Sequence, residues 1–141
     1  MDHLPIFINI RKKPCVVIGG GDIALRKINI LLKAQAKVDC LSPSFSRDIK
    51  NLSKDGHITL INKSFDQTDI KDYSIIIAAT DDSSVNSSIS AIAQVKNIPV
   101  NVVDSPELSS FIMPSIVDRS PLIIAVSSSG KAPVLSRIIR A

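Results

Sequence analysis

Three consecutive glycines at the junction of an apolar strand-like run and a helix-like run constrain the fold of this chain more than any other feature. Cys15-Val16-Val17-Ile18 leads directly into Gly19-Gly20-Gly21-Asp22-Ile23-Ala24, which reads as Gly19-x-Gly21-x-x-Ala24. In a strand–turn–helix unit of this kind the first glycine permits the tight turn. The second lets a pyrophosphate approach the backbone, and the small third residue lets the helix pack closely on the strand. The helix start also offers unpaired N–H groups and a partial positive charge to phosphate. Gly19, Gly20, Gly21, Asp22 and Ile23 are therefore candidate cofactor contacts. Glycine turns also serve as plain connections, so the context of this one carries the argument.

That context is an alternation of strands and helices. Pro14–Ile18 is a predicted strand and Asp22–Lys33 a helix, with Ile23, Ile28, Ile30, Leu31 and Leu32 supplying its apolar side. Lys37–Leu41 is a second strand, stopped by Ser42-Pro43. Ser46–Ser53 reads as a short helix and Ile58–Ile61 as a third strand. Ser74–Ala79 is too apolar for a sheet with one wet face, which points to helices on both sides. Thr80-Asp81-Asp82 then caps a helix running through Lys96, and Pro99–Val103 is a fifth strand. Helical stretches between strands imply right-handed crossovers, hence an α/β fold with a doubly wound parallel sheet of Rossmann type over residues 1–113.

Beyond Asp104 the pattern changes. Phe111–Val117 and Leu122–Ser127 are two β-rich runs joined by Asp118-Arg119-Ser120-Pro121, a turn-forming cluster. Ser127-Ser128-Ser129-Gly130 then leads into Lys131–Arg140, with Val134, Leu135, Ile138 and Ile139 on one helical face. Residues 114–141 thus read as an appended hairpin and helix whose apolar content needs a partner, and a homodimer is the expectation. The last helix stops at Ala141 without a cap, so the segment reads as cut short.

Composition narrows the partners. The chain of 141 residues is 45% hydrophobic but only 4% aromatic, so its core is built from Ile, Leu, Val and Ala. The net charge of +4 is spread along the chain with no basic block interleaved with aromatics, which argues against nucleic acid and suits a small polyanion. No apolar run approaches a membrane span, and Met1–Ile10 lacks the pattern of a signal peptide. Cys15 and Cys40 fall on predicted central strands as buried, reduced thiols, which points to the cytoplasm. His3 and His57 are isolated, so no metal site is expected.

Two positions at the predicted carboxyl edge of the sheet carry further chemistry. Asp104 follows the fifth strand, where a carboxylate beside a nicotinamide ring could take a proton as hydride departs; a turn or helix cap before Ser105-Pro106 is the alternative. Thr80 and Asp81 follow the fourth strand, within reach of the adenosine half of a dinucleotide, and Asp81 or Asp82 can equally cap the next helix. The end of the second strand, Ser42-Pro43, lacks the acid that usually holds the adenosine ribose, and Asp39 lies too early to replace it. No Arg directly follows Ser42 to receive a 2′-phosphate, which favours NAD over NADP.

Several motifs occur together and in order: Met1-Asp2-His3-Leu4-Pro5-Ile6-Phe7, Gly19 to Ala24 followed by Arg26-Lys27, Ala78-Ala79-Thr80-Asp81-Asp82, Asn101-Val102-Val103-Asp104, Ser110 to Ser115 and Ser127 to Gly130. With them the chain resembles the amino-terminal part of the siroheme synthase family, the precorrin-2 dehydrogenase/sirohydrochlorin ferrochelatases. The resemblance implies oxidation of precorrin-2 to sirohydrochlorin with NAD as hydride acceptor, then insertion of ferrous iron to give siroheme. It matches Asp104 to the family's catalytic aspartate, places Val102 among the cofactor contacts and Asn101 among the substrate contacts. Against a substrate ringed by carboxylates, Ser128, Lys131 and Arg119 become candidate contacts as well. A dehydrogenase-only member of the family and a non-catalytic NAD(H)-sensing module are the competing readings.

Overall fold

The computed structural model describes residues 1–128. Its larger compact unit, Ile6–Ser110, is built on five parallel strands in the order β3-β2-β1-β4-β5. The elements are β1 (Pro14–Ile18), α1 (Asp22–Lys33), β2 (Lys37–Ser42), α2 (Arg47–Lys54), β3 (Ile58–Asn62), β4 (Ile75–Ala78), α3 (Ser83–Val95) and β5 (Val100–Val102). Short 3₁₀ turns occupy Gln67–Asp69 and Pro106–Leu108.

The order of strands decides which faces are covered. The chain steps one way through β1, β2 and β3, then returns to the centre and steps the other way through β4 and β5. Right-handed crossovers therefore put α1 and α2 on one face and α3 on the other. Val16, Ile18, Leu41, Ile76, Ala78, Val100 and Val102 pack with Ile89 and Ala93 of α3. Because successive strand residues face opposite ways, Val17, Cys40, Ile77 and Asn101 belong to the α1 face, where Ala24, Ile28 and Leu31 of α1 are also buried. All four residues of β4 are buried, as a central strand under two layers requires.

Departures from the expected boundaries have local causes. α3 begins at Ser83 because Asp82 alone is the cap, its carboxylate accepting from the Ser84 and Val85 amides at 2.9 and 3.3 Å. The Ser84 hydroxyl and these amides hold the Asp82 carboxyl below the usual carboxylate range. Asp39 sits in mid-β2 and accepts a hydrogen bond from the Tyr73 hydroxyl at 2.8 Å, tying β2 to the approach to β4. Burial, followed by the Asp39 bond, raises the Tyr73 phenol. β5 ends the sheet, and its outer edge is closed by side chains. The amides of Val100 and Val102 donate to the hydroxyls of Ser110 and Ser109, each at 2.9 Å.

The smaller compact unit comprises Met1–Pro5 and, among the described residues, 111–128. It contains an antiparallel hairpin of β6 (Ser115–Arg119) and β7 (Leu122–Val126). The first strand starts later than Phe111 and includes Asp118 and Arg119, which were expected in the turn. Arg119 pairs with Leu122, so Ser120-Pro121 alone makes the connection. The helix expected over Lys131–Arg140 lies outside the described residues.

Each fully buried isoleucine of the sheet contributes roughly 1.5–3 kcal/mol by removing apolar surface from water. Ile77→Ala should lower stability by about 2–5 kcal/mol in urea unfolding. Val95→Ala, at an 83% exposed position, should stay within about 0.5 kcal/mol of the parent.

Candidate functional site

The carboxyl ends of β1, β2, β4 and β5 gather the loops that carry the candidate residues, as ligand sites in open α/β sheets require. At the end of β1, Gly19 adopts φ +139°, and a Cβ there would lie 2.3 Å from the Ala79 carbonyl oxygen. Gly20 has the same problem with another loop, since its Cβ would lie 1.9 Å from the Ser44 carbonyl oxygen. The Ser46 amide donates to the Gly20 carbonyl at 2.8 Å, and the Gly19 amide donates to the Leu41 carbonyl at 2.9 Å. Gly19 and Gly20 are thus required by the protein itself. Gly20 occupies what the motif treats as a free position, so no local signal marks this second close approach.

Gly21 differs from both. Among the described residues, no atom apart from those of its chain neighbours lies within 4 Å of a Cβ built on it, and its backbone is in the extended region. Nothing among the described residues demands a glycine here, whereas a phosphate resting on the backbone would. Gly21 is also the N-cap of α1, with no side-chain cap bond, while α2 and α3 are capped by Ser46 and Asp82. The first turn of α1 therefore keeps its N–H groups for an external anion. Asp22 and Ile23 are exposed beside this cradle, Ile23 at 43%. The residues present fit the pyrophosphate of a dinucleotide.

The other predicted cofactor residues divide. Ser42 is buried beneath Gly20, with its hydroxyl accepting from the Ser44 amide at 3.4 Å, so it shapes the β2 loop while Pro43 stays exposed. Thr80 is hydrogen-bonded to Asn86 through both its hydroxyl, at 2.6 Å, and its carbonyl, at 3.1 Å. It therefore braces the start of α3. Asp81 is exposed on the same loop. Val102 is only 2% exposed, within the apolar cluster on α3. Its amide is held by Ser109, and its carbonyl accepts from the Ser105 amide at 3.0 Å. Val102, expected as a cofactor contact, is a buried residue whose backbone anchors the loop that follows.

That loop presents Asp104. Its backbone is left-handed at φ 61°, a conformation that aspartate tolerates better than most side chains, and its carboxylate is exposed. Asn101, 8% exposed, lies opposite Ile77 on the α1 face of the same strand end. One residue that the motif contained without an assigned role joins them. Lys27 of α1 is half-buried, and the Asp104 charge acts on its ammonium. A lysine adjoining the buried stripe of Ala24, Ile28 and Leu31 was the available sequence signal.

Arg119 is exposed at the end of β6, its guanidinium donating to the Asp118 carbonyl at 3.1 Å, and Ser128 is half-buried just beyond β7. Lys131 lies outside the described residues. Among the described residues, no group of three His, Cys, Asp or Glu side chains could hold a metal ion, and no helix is long and apolar enough to cross a membrane. Burial pushes the Cys15 and Cys40 thiols up, to about 11 and about 12.

A family profile described as "Putative NAD(P)-binding" matches residues 6–115. The chain belongs to that family. It is 57% identical over 141 residues to the siroheme synthase of Ruthia magnifica subsp. Calyptogena magnifica, covering 100% of this chain and 30% of that one. It is 50% identical to the siroheme synthase of Nitrosomonas europaea, over 99% of this chain and 30% of that one. The match falls on the N-terminal portion of those proteins, so the chain spans 30% of the length of these curated relatives. A solved structure, "SirC, precorrin-2 dehydrogenase", shares the fold with a TM-score of 0.77 at 24% identity, covering 98% of this chain and 68% of that one. The resemblance carried by the motifs thus holds across the chain.

The contrast between adjacent glycines is measurable. Gly20→Ala should lower stability by about 1–3 kcal/mol through overpacking against the Ser44 carbonyl. Gly21→Ala should change stability by less than about 0.5 kcal/mol yet weaken dinucleotide binding at least tenfold. Thermal unfolding and calorimetric titration of the two variants separate these effects.

Proposed function

We propose that this chain catalyses the NAD-dependent oxidation of precorrin-2 to sirohydrochlorin. The observation that carries the reading is the shared edge of the uncapped α1 N-terminus, with Gly21 open to a ligand, and the exposed Asp104 carboxylate after β5. The 57% identity to a siroheme synthase over the full chain supports the choice of substrate. Bound NAD supplies the hydride acceptor.

The chain's own groups supply positioning and the base. The amides of the first turn of α1 hold the pyrophosphate, and Gly21 lets it approach. Asp104 takes the proton released as hydride leaves the macrocycle, so one two-electron oxidation yields one proton and reduced cofactor. Asn101 is the substrate contact proposed at this edge; Ser128, Arg119 and Lys131 are proposed separately as contacts for substrate carboxylates. NAD is the preferred dinucleotide because Ser42 to Ser46 offers no cation for a 2′-phosphate. Ferrous iron enters as the substrate of a second step, in which Asp104 accepts one pyrrole proton and the second passes to solvent. The reading includes a cytoplasmic homodimer: Leu122, Ile123 and Ile124 of β7 are 60%, 49% and 41% exposed, an apolar surface suited to a second copy.

Anaerobic incubation with precorrin-2 and NAD⁺ should yield NADH and sirohydrochlorin in equal amounts, followed by absorbance. Asp104→Ala should reduce the rate at least a hundredfold, in keeping with the range for loss of a general base, while NAD affinity stays within about twofold. Equal turnover in the variant removes Asp104 from the chemistry. NAD binding without any turnover by the parent protein favours a sensing module.

A further inference from the structure

The loop after β2 carries no cation from Ser42 to Ser46, yet the next strand supplies one at the same edge of the sheet. Ser42 pairs in register with Asn62, and the Lys63 amide donates to the Ser42 carbonyl at 3.1 Å. Lys63 therefore leaves β3 directly beside the last residue of β2, where open α/β sheets place the adenosine ribose of a dinucleotide. Just beyond it, Phe65, Asp66 and Gln67 line an open recess of about 230 Å³ together with Ser84, Val85 and Ser88 of α3. Phe65 and Val85 pack on the same apolar cluster as Leu41 of β2, so the recess adjoins the end of that strand. A dinucleotide with its pyrophosphate at Gly21 would run its adenosine over β2 toward this recess, with the ribose hydroxyls next to Lys63.

The lysine is already engaged there. Both oxygens of the Asp69 carboxylate accept from the Lys63 ammonium, at 2.7 and 2.8 Å. Asp69 is itself held, since its Oδ2 also accepts from the Asp66 amide at 2.7 Å and its side chain is only 14% exposed. The Asp66 carboxylate in turn accepts from Thr68, whose hydroxyl and amide keep it below the usual carboxylate range. Two carboxylates thus accompany one ammonium on the short segment from Lys63 to Asp69. An ion pair this exposed adds little to stability. What it changes is the charge presented to a ligand at the end of β2.

We propose that Asp69 makes this chain select against a 2′-phosphorylated dinucleotide, by neutralising Lys63, the cation that β3 sets beside the adenosine ribose. This rests on the function proposed above and names the residue that sets its choice of cofactor. NAD presents ribose hydroxyls, which need no cation. NADP brings a phosphate for which Lys63 is occupied and which Asp66 and Asp69 repel.

Calorimetry with NAD⁺ and NADP⁺ tests this in the parent protein, in Asp69→Asn, in Asp69→Ser and in the double variant Asp69→Asn/Lys63→Met, each checked for folding by circular dichroism. The parent should bind NAD⁺ at least tenfold more tightly than NADP⁺. Each Asp69 variant should tighten NADP⁺ binding by about tenfold or more, as expected for freeing one charge-assisted hydrogen bond to a phosphate, with NAD⁺ affinity within about twofold of the parent. The double variant should lose that gain. An unchanged preference in a folded Asp69 variant overturns the proposal and leaves the ion pair as a staple between β3 and the 3₁₀ turn. A gain that survives in the double variant also overturns it and assigns the phosphate to another cation. Equal affinity of the parent for the two dinucleotides overturns it outright. Binding of neither dinucleotide by the parent overturns it together with the NAD-dependent function beneath it. The expected shifts in a parent that does not oxidise precorrin-2 overturn the dehydrogenase reading and leave Asp69 as the selectivity residue of a sensing module.

Discussion

Two backbone contacts hold the working edge of this protein together. Gly19 lies against the Ala79 carbonyl and Gly20 against the Ser44 carbonyl, so the loops after β1, β4 and β2 meet with no room for a side chain between them. The hydrogen bond from Ser46 to Gly20 then joins the N-cap of α2 to the same turn. Because three loops are fixed by mutual contact, the next residue, Gly21, can face outward with its amides unshared. The turn is thus held by close contacts one residue before the start of α1, where the proposed anion site lies.

The sheet and its flanking helices were legible because each signal was strong and local. The apolar run at Ile75–Ala78 is too continuous for an exposed strand, and the boundaries of β1 and α1 coincide with Pro14 and the glycine turn. The hairpin was less legible because Asp118 and Arg119 have turn-like identities, yet cross-strand pairing with Ile123 and Leu122 draws them into β6. Position after a strand located the Asp104 loop, whereas Asn101 and Val102 were named from the resemblance and lie within β5 itself. Motif membership did not reveal that Val102 is buried with its amide held by Ser109. The packing of Gly20 depends on a contact between distant segments, which no local pattern encodes.

Polar groups at the edge divide by whether the protein has already engaged them. Thr80, Asp82 and Ser42 are bonded within the fold and define the shape of their loops. The amides at the start of α1 have no such side-chain cap, and Asp104 and Lys27 interact through their charges without contact. Rigid scaffold and reactive surface are thereby separated residue by residue, within loops only a few residues long.

β5 would ordinarily leave a row of backbone donors at the end of the sheet, a template on which another strand could grow. Here the chain turns back, and two serine hydroxyls occupy those donors at Val100 and Val102. This stops lateral growth of the sheet at β5 without adding a sixth strand there. It also clamps both ends of the short loop bearing Asp104, from Val102 to Ser109. The device that keeps one molecule from adding strands to another therefore also fixes the stem of its proposed proton acceptor, so mutational loss of either hydroxyl would couple a tendency to aggregate with a loosened active edge.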